Sequence, residues 1–253
     1  MVQVYHLGVK SGDIAPHILL CGDPARAAKV ANRFDKVVFR AANREFITYT
    51  GFWHNLKISV IGTGIGPDNT EICIVELSQV VKNATIIRLG SSGALQKYIK
   101  LGELIISTAS MRLENTSLYF VEEGFPAVAN HEVIFALEFA CSKLGINYYT
   151  GITASAPGFY GAQGRSVGRF KPRFPGLTKR LASLGILNLE METSSLFTMA
   201  TLAGFRAGAL CSAYANRITN KFLDAKGREK ADKLCIDAGL LALEILAQYN
   251  TKK

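Results

Sequence analysis

The run Thr85-Ile-Ile-Arg-Leu-Gly-Ser-Ser-Gly-Ala-Leu95 constrains this chain most. Its first half is short, apolar and β-branched, as in a strand buried on both faces, and such strands belong to sheets covered by helices on either side. The run then carries Arg88 and closes on Gly90, Ser91, Ser92 and Gly93. An arginine at the end of a buried strand needs a negative partner, and the glycines let the backbone turn tightly and approach one. Two readings stand: an anion held by Arg88, Ser91 and nearby N–H groups, or a structural arginine that caps carbonyls in an ordinary turn.

Other runs repeat the strand-to-helix theme. Residues 17–21 read as a buried strand followed by Gly22-Asp23-Pro24-Ala25-Arg26, where Asp23 suits an N-cap and Pro24 the first helical position. Free N–H groups of that helix start, with Arg26 one turn in, make a phosphate site, or else a plain turn with a surface arginine. Strands are predicted over 36–40, 45–50, 56–61, 103–110, 148–154, 186–189 and 205–213. Helices are predicted over 68–82, 131–144, 193–203 and 225–249, the last with an apolar stripe of Leu234, Ala238, Leu241 and Ile245. Residues 113–129 read as loop. The turn Gly62-Thr63-Gly64-Ile65-Gly66 lacks dinucleotide-loop spacing and a Walker lysine, so it says only that backbone comes close to a ligand or a packed helix.

Two further stretches bear on chemistry. The irregular loop 157–165 presents Phe159, Gln163 and Arg165, which suit a planar heterocycle by stacking and edge hydrogen bonds; the alternative is a surface loop with buried anchors. Glu190-Met191-Glu192 at a strand-to-helix junction suits vicinal sugar hydroxyls, with Met191 against the apolar sugar face, although helix starts favour glutamate for dipole reasons alone.

With 253 residues, 49% of them hydrophobic, and no linker or repeat, one domain over 1–253 is expected. No run reaches membrane-span length and the start lacks a signal-peptide layout, so a cytoplasmic, soluble protein is expected. Five dispersed cysteines in apolar runs fit reduced core residues, and four scattered histidines show no metal spacing. The net charge of +9 concentrates in residues 139–189, which contain no acid. A non-catalytic nucleic-acid-binding protein is the reading from a different class, but the stretch lacks a recognition-helix pattern or interleaved aromatics.

Taken in order, Tyr5-His6-Leu7-Gly8, Gly22-Asp23-Pro24-Ala25-Arg26, Asn43-Arg44-Glu45-Phe46, Arg88 to Gly93, Glu190-Met191-Glu192 and Asn216-Arg217 resemble the nucleoside phosphorylase family over nearly the whole chain. The loop Phe159-Tyr160-Gly161-Ala162-Gln163-Gly164-Arg165 is similar to the uracil-reading loop of its uridine phosphorylase branch. The purine branch carries an acid near the end of the last strand, and 212–217 has none. The resemblance implies an α/β fold with a central mixed, partly barrel-like sheet flanked by helices, and reversible phosphorolysis of uridine to uracil and ribose 1-phosphate. Broad-specificity or purine phosphorolysis is the nearest alternative, and a hydrolytic nucleosidase a further one.

By resemblance, phosphate falls to Gly22, Arg26, Arg88 and Ser91, with Arg44 reaching in from a neighbouring subunit. Ribose falls to Met191 and Glu192, with the neighbour's His6, and the base to Phe159, Gln163 and Arg165. Arg88, Gln163, Arg165 and Glu192 carry catalysis, with no organic cofactor. The resemblance also implies a dimer at least, a hexamer built as a trimer of dimers, and a monovalent cation such as potassium near Glu45 and Asn69 at the dimer interface. Pro67-Asp68-Asn69 departs from the family's small residues, and Asp68 is expected to cap the helix that follows. On chemistry alone, Gln163 and Arg165 match the acceptors and N3–H of uracil, whereas cytosine would leave buried groups unpaired at about 1–3 kcal/mol each.

Overall fold

A computed structural model describes residues 3–250. In chain order the elements are β1 (His17–Cys21), α1 (Pro24–Ala31), β2 (Lys36–Asn43), β3 (Phe46–Trp53), β4 (Leu56–Gly62), α2 (Pro67–Val80), β5 (Thr85–Ala94) and β6 (Leu104–Arg112). They continue with β7 (Ala127–Val128), α3 (His131–Lys143), β8 (Tyr148–Ser155), α4 (Leu177–Ser183), β9 (Asn188–Glu190), α5 (Thr193–Leu202), β10 (Arg206–Asn216), β11 (Lys221–Phe222) and α6 (Ala225–Asn250).

β1 lies between β4 and β5, parallel to both, and β10 continues the parallel set on the far edge of β5. From β10 the sheet runs antiparallel to β6, parallel to β8 and β9, and antiparallel back to β5. Strands β5, β10, β6, β8 and β9 therefore close a five-stranded ring, with β1, β4, β3 and β2 as an open wing. This is the expected mixed, partly barrel-like sheet.

The β-branched runs explain the layers. Leu19, Ile87 and Leu89 face α1, α3 and α6, while Ile18, Leu20 and Ile86 face α2 and α5. Successive strand residues point to opposite faces, so such a strand must be apolar throughout. Gly239 lets α6 lie on β5: a Cβ there would stand 2.6 Å from Leu89 Cδ2. The buried face of α6 is Cys235, Ile236, Ala238, Leu240, Ala242, Leu243 and Leu246; Leu234, Leu241 and Ile245 of the expected stripe are only partly buried at its margins. The helix is sandwiched by α3 as well as the sheet, so its contact arc is wider than one stripe.

Other expectations are corrected. β5 does not break at Arg88; it continues to Ala94 because Gly90 to Gly93 pair with Cys211 to Ala215 of β10. The segment 113–129 contains a short 3-10 turn, Thr116–Tyr119, and β7, and α4 is an additional helix. Asp68 sits in the first turn of α2, whose N-cap is Gly66, and its carboxylate accepts from the Thr116 hydroxyl instead of capping. All five cysteines are buried and unpaired. Among the described residues no helix is long and apolar enough to cross a membrane.

Candidate active site

Ligands of open α/β sheets bind beyond the carboxyl ends of the parallel strands. Here β1 exits into Gly22, β4 into the Gly62–Gly66 turn, β9 into Glu190 and α5, and the second half of β5 runs alongside. Together with the loop after β8 they border a cavity of about 520 Å³, whose lining includes Gly22, Arg26, Arg88 and Ser91, then Met191 and Glu192, and Phe159, Gln163 and Arg165. The chain thus brings nine of the anticipated residues to one cavity.

The negative partners of Arg88 are the protein's own. Its Nε donates to Glu190 Oε2 at 3.1 Å and its Nη2 to Glu192 Oε2. Arg88, Glu190 and Glu192 are each at most 6% exposed. Glu190 is saturated: it also accepts from the Ser155 hydroxyl and from the backbone N–H groups of Glu192 and Thr193. It is therefore a structural anchor of the α5 start, which corrects the reading of paired carboxylates for sugar hydroxyls. Glu192 is less committed, accepting elsewhere from Gly66 N at 2.7 Å. Burial pushes its carboxyl up against the pull of Arg88, with Glu190 adding to the rise. That contact also resolves the glycine turn: Gly66, at φ +109°, aims its N–H at a side chain. A glycine is the residue that adopts this backbone without strain.

Asp23 caps α1 by accepting from Ala25 N at 2.8 Å, and Pro24 opens the helix, as the sequence implied. Arg26 is not a surface residue. Its Nε donates to Asp232 Oδ1 at 2.9 Å, Nη1 to Leu89 O at 3.2 Å and Nη2 to the Tyr214 hydroxyl at 3.1 Å. Tyr214 is the extra residue of a bulge in β10, where the register with β5 shifts between Ala213 and Ala215. Bulges of this kind re-aim a side chain beside a site.

In the loop after β8, the turn Gly161–Gln163 closes on Gly164 at φ +70°, which seats Gln163 in the protein with 3% exposure. The guanidinium of Arg165 lies 4.3 Å from the centroid of the Phe159 ring. Gln163 Oε1 faces two donors, Arg165 Nη2 at 3.5 Å and Arg217 Nη1 at 3.4 Å. Both bonds are long and weak, so the amide can exchange either for a ligand. Arg217 crosses β5 where Gly93 leaves room; a Cβ there would be 2.8 Å from its Cγ. Burial, then Arg165, brings the Arg217 pKa down to about 10, and burial lowers that of Arg165. Among the described residues no carboxylate pairs with either, so this cluster favours carbonyl oxygens and developing negative charge.

Four anticipated residues lie outside the cavity. His6 bonds Glu76 Oε1 through Nδ1 at 2.7 Å, and Arg44, in the β2–β3 turn, is 55% exposed beside Glu45. Glu45 and Asn69 both come against Gly64, where a Cβ would lie 3.5 Å from Glu45 Cγ and 2.7 Å from Asn69 Nδ2. Their oxygens are hard donors of the kind a monovalent cation takes, but two partly exposed donors of one chain are too few to enclose it. Sequence reasoning missed Arg217 and Asp232 as parts of the site. The buried Asp232 follows Ala231 on the apolar side of α6, and that position was the one available signal.

A family model described as the phosphorylase superfamily matches residues 16–247. The chain is 42% identical over 251 residues to the uridine phosphorylase of Thermococcus kodakarensis, covering 98% of this chain and 88% of that one. It is 37% identical to the uridine phosphorylase of Haemophilus influenzae, with 94% and 98% covered, and 27% identical to the guanosine phosphorylase of Halorubrum lacusprofundi, with 92% and 91% covered.

Proposed function

The chain belongs to the phosphorylase superfamily, and we propose that it is a uridine phosphorylase, converting uridine and inorganic phosphate reversibly to uracil and ribose 1-phosphate. The observation that carries this reading is the lining of one cavity by two clusters. Arg88, Arg26, Ser91 and the backbone at Gly22 form one, and Gln163 with the uncompensated Arg165, backed by Arg217, forms the other.

Cleavage of the glycosidic bond leaves positive charge on the sugar and negative charge on the departing base. Arg165 and Arg217 offset the second, and more strongly in the transition state than in the bound nucleoside, which is what accelerates the step. Phosphate, held by Arg88 and Ser91 with Arg26, supplies an anion to the sugar and then the nucleophile, already in position. Glu192 accepts from ribose hydroxyls, and Met191 covers the apolar sugar face. The location of Arg44 and His6 outside the cavity supports a site completed by a neighbouring subunit, hence a homodimer at least and a hexamer as a trimer of dimers. No chemical step here requires an organic cofactor, and none is routed through a cation at Glu45 and Asn69.

The test is product analysis from uridine, cytidine, thymidine and inosine, each with and without phosphate. Uracil release that requires phosphate and yields ribose 1-phosphate, with cytidine inert and Gln163→Ala impaired, is expected. Inosine as the preferred substrate would overturn the base assignment, and free ribose without phosphate would make the protein a hydrolase.

A further inference from the structure

We propose that Asp232, which does not line the cavity, is the positioning residue of its phosphate site, fixing the Arg26 guanidinium through Nε so that the spare N–H groups of Nη1 and Nη2 are left for the ligand. The inference rests on the reading of Arg26 as a phosphate ligand and adds to it a residue from the opposite end of the chain.

Asp232 is 5% exposed and comes from α6, while Arg26 comes from α1. One carboxylate oxygen, Oδ1, accepts from Nε of Arg26 at 2.9 Å and from the Tyr214 hydroxyl, and stands 2.9 Å from Arg26 Nη2 as an ion pair. The other, Oδ2, takes Lys29 Nζ at 2.8 Å. Arginine has five N–H donors in a rigid fork. Nε–H goes to Asp232, one Nη2–H to Tyr214 and one Nη1–H to Leu89 O, while Nη2 also pairs with Asp232 by charge. Two N–H groups remain, one on each Nη.

The charges fit the same role. Asp232 alone would neutralise Arg26 and weaken it as an anion ligand. Lys29, half exposed on the far side of the carboxylate, restores a net positive charge to the trio without entering the cavity. Burial raises the Asp232 carboxyl, but Arg26, Lys29 and Tyr214 together outweigh it and the net shift is downward, so the clamp stays ionised at neutral pH. An arginine already held this way loses little freedom when an anion binds. The plain alternative is a tie between α1 and α6 that matters for stability alone.

Steady-state kinetics of the intact enzyme, varying phosphate and uridine separately, distinguish the two. For Asp232→Asn, KM for phosphate is expected to rise about 10- to 100-fold, the scale of a lost charge-assisted hydrogen bond. KM for uridine should stay within about twofold. Asp232→Glu, which keeps the charge but displaces it, should fall between wild type and Asn, and it serves if the Asn variant fails to fold. Lys29→Ala, which leaves Oδ1 untouched, should alter phosphate KM less than Asp232→Glu. A fall in melting temperature with both KM values unchanged in the Asp232 variants would overturn the proposal, as would equal losses for phosphate and uridine. Arg26→Ala separates the premises: if it raises phosphate KM and the Asp232 variants do not, the positioning role alone fails. If it leaves phosphate KM unchanged, the assignment of Arg26 fails and the proposal with it.

Discussion

Replacing Arg88 with Met tests whether the centre of the site is an ion cluster held together by that one cation. Glu190 would retain the Ser155 hydroxyl and the N–H groups of Glu192 and Thr193, whereas Glu192 would retain only backbone N–H groups, those of Gly66 and Met191. The cost therefore falls on Glu192. Removing one partner of a buried pair leaves an uncompensated charge and costs about 3–5 kcal/mol. For a chain of this length the unfolding entropy is about 0.5 kcal/mol/K, so the melting temperature should drop by about 6–10 °C at pH 8. Glu192 already binds its proton more tightly in the fold than in the unfolded chain, whose reference value is 4.5. Loss of Arg88 raises its folded pKa further. The penalty for keeping it ionised is thus present above the raised folded pKa and relieved as pH falls through it. The gap between wild type and Arg88→Met should accordingly narrow from pH 8 to pH 5, and Arg88→Met/Glu192→Gln should recover at least half of it. Differential scanning calorimetry at one fixed protein concentration is the assay, since assembly shifts apparent stability by mass action. A gap of the same size at both pH values, or a double variant no more stable than the single, would refute the reasoning.

Uridine affinity measured by calorimetric titration without phosphate should rise with pH through a midpoint above 4.5, because ionised Glu192 is a stronger acceptor for ribose hydroxyls than its acid form; Glu192→Gln should flatten the profile, and a midpoint at or below 4.5 would count against the role. Away from the site, Gly208→Ala should destabilise by about 1–3 kcal/mol through overpacking, since its Cβ would meet Val133 Cγ1 at 2.4 Å and Val133 is fully buried. Denaturant unfolding of Gly208→Ala/Val133→Ala should show a loss smaller than the sum of the two singles, and strict additivity would contradict the contact.

The strands and helices with a strong local signature were legible in sequence. β1 and α1 followed from an apolar run, an Asp N-cap and a proline, all of which act within a few residues. β5 was legible as buried but not in length, because its glycine and serine half is held by pairing with β10, a partner more than a hundred residues away. The site divides the same way. Residues on recognisable turns, such as Gly22, Gln163 and Glu192, could be named from the chain, and the cavity gathers them. Their contacts could not: Asp232 meets Arg26 across 206 positions, and Tyr214 reaches the cavity through a bulge for which no local residue pattern is diagnostic. The expectation of no acid near the end of the last strand holds for 212–217, yet α6 brings a carboxylate to Tyr214 from outside that segment.

Because the ring of β5, β10, β6, β8 and β9 closes on itself, β5 has neighbours along both edges. Its amides should exchange with solvent only when the whole molecule opens, whereas the turn carrying Gln163 and Arg165, tied to the β10 exit by Arg217 side-chain bonds of 3.2 and 3.4 Å, can open on its own. The two clusters of the cavity therefore run on different clocks. The anion cluster is set once, at folding, while the base cluster can be rewritten or can yield to a new ring without disturbing the scaffold. Changes of nucleobase preference among proteins of this build should accordingly collect in the segment after β8, and the strand that holds Arg88 should tolerate few.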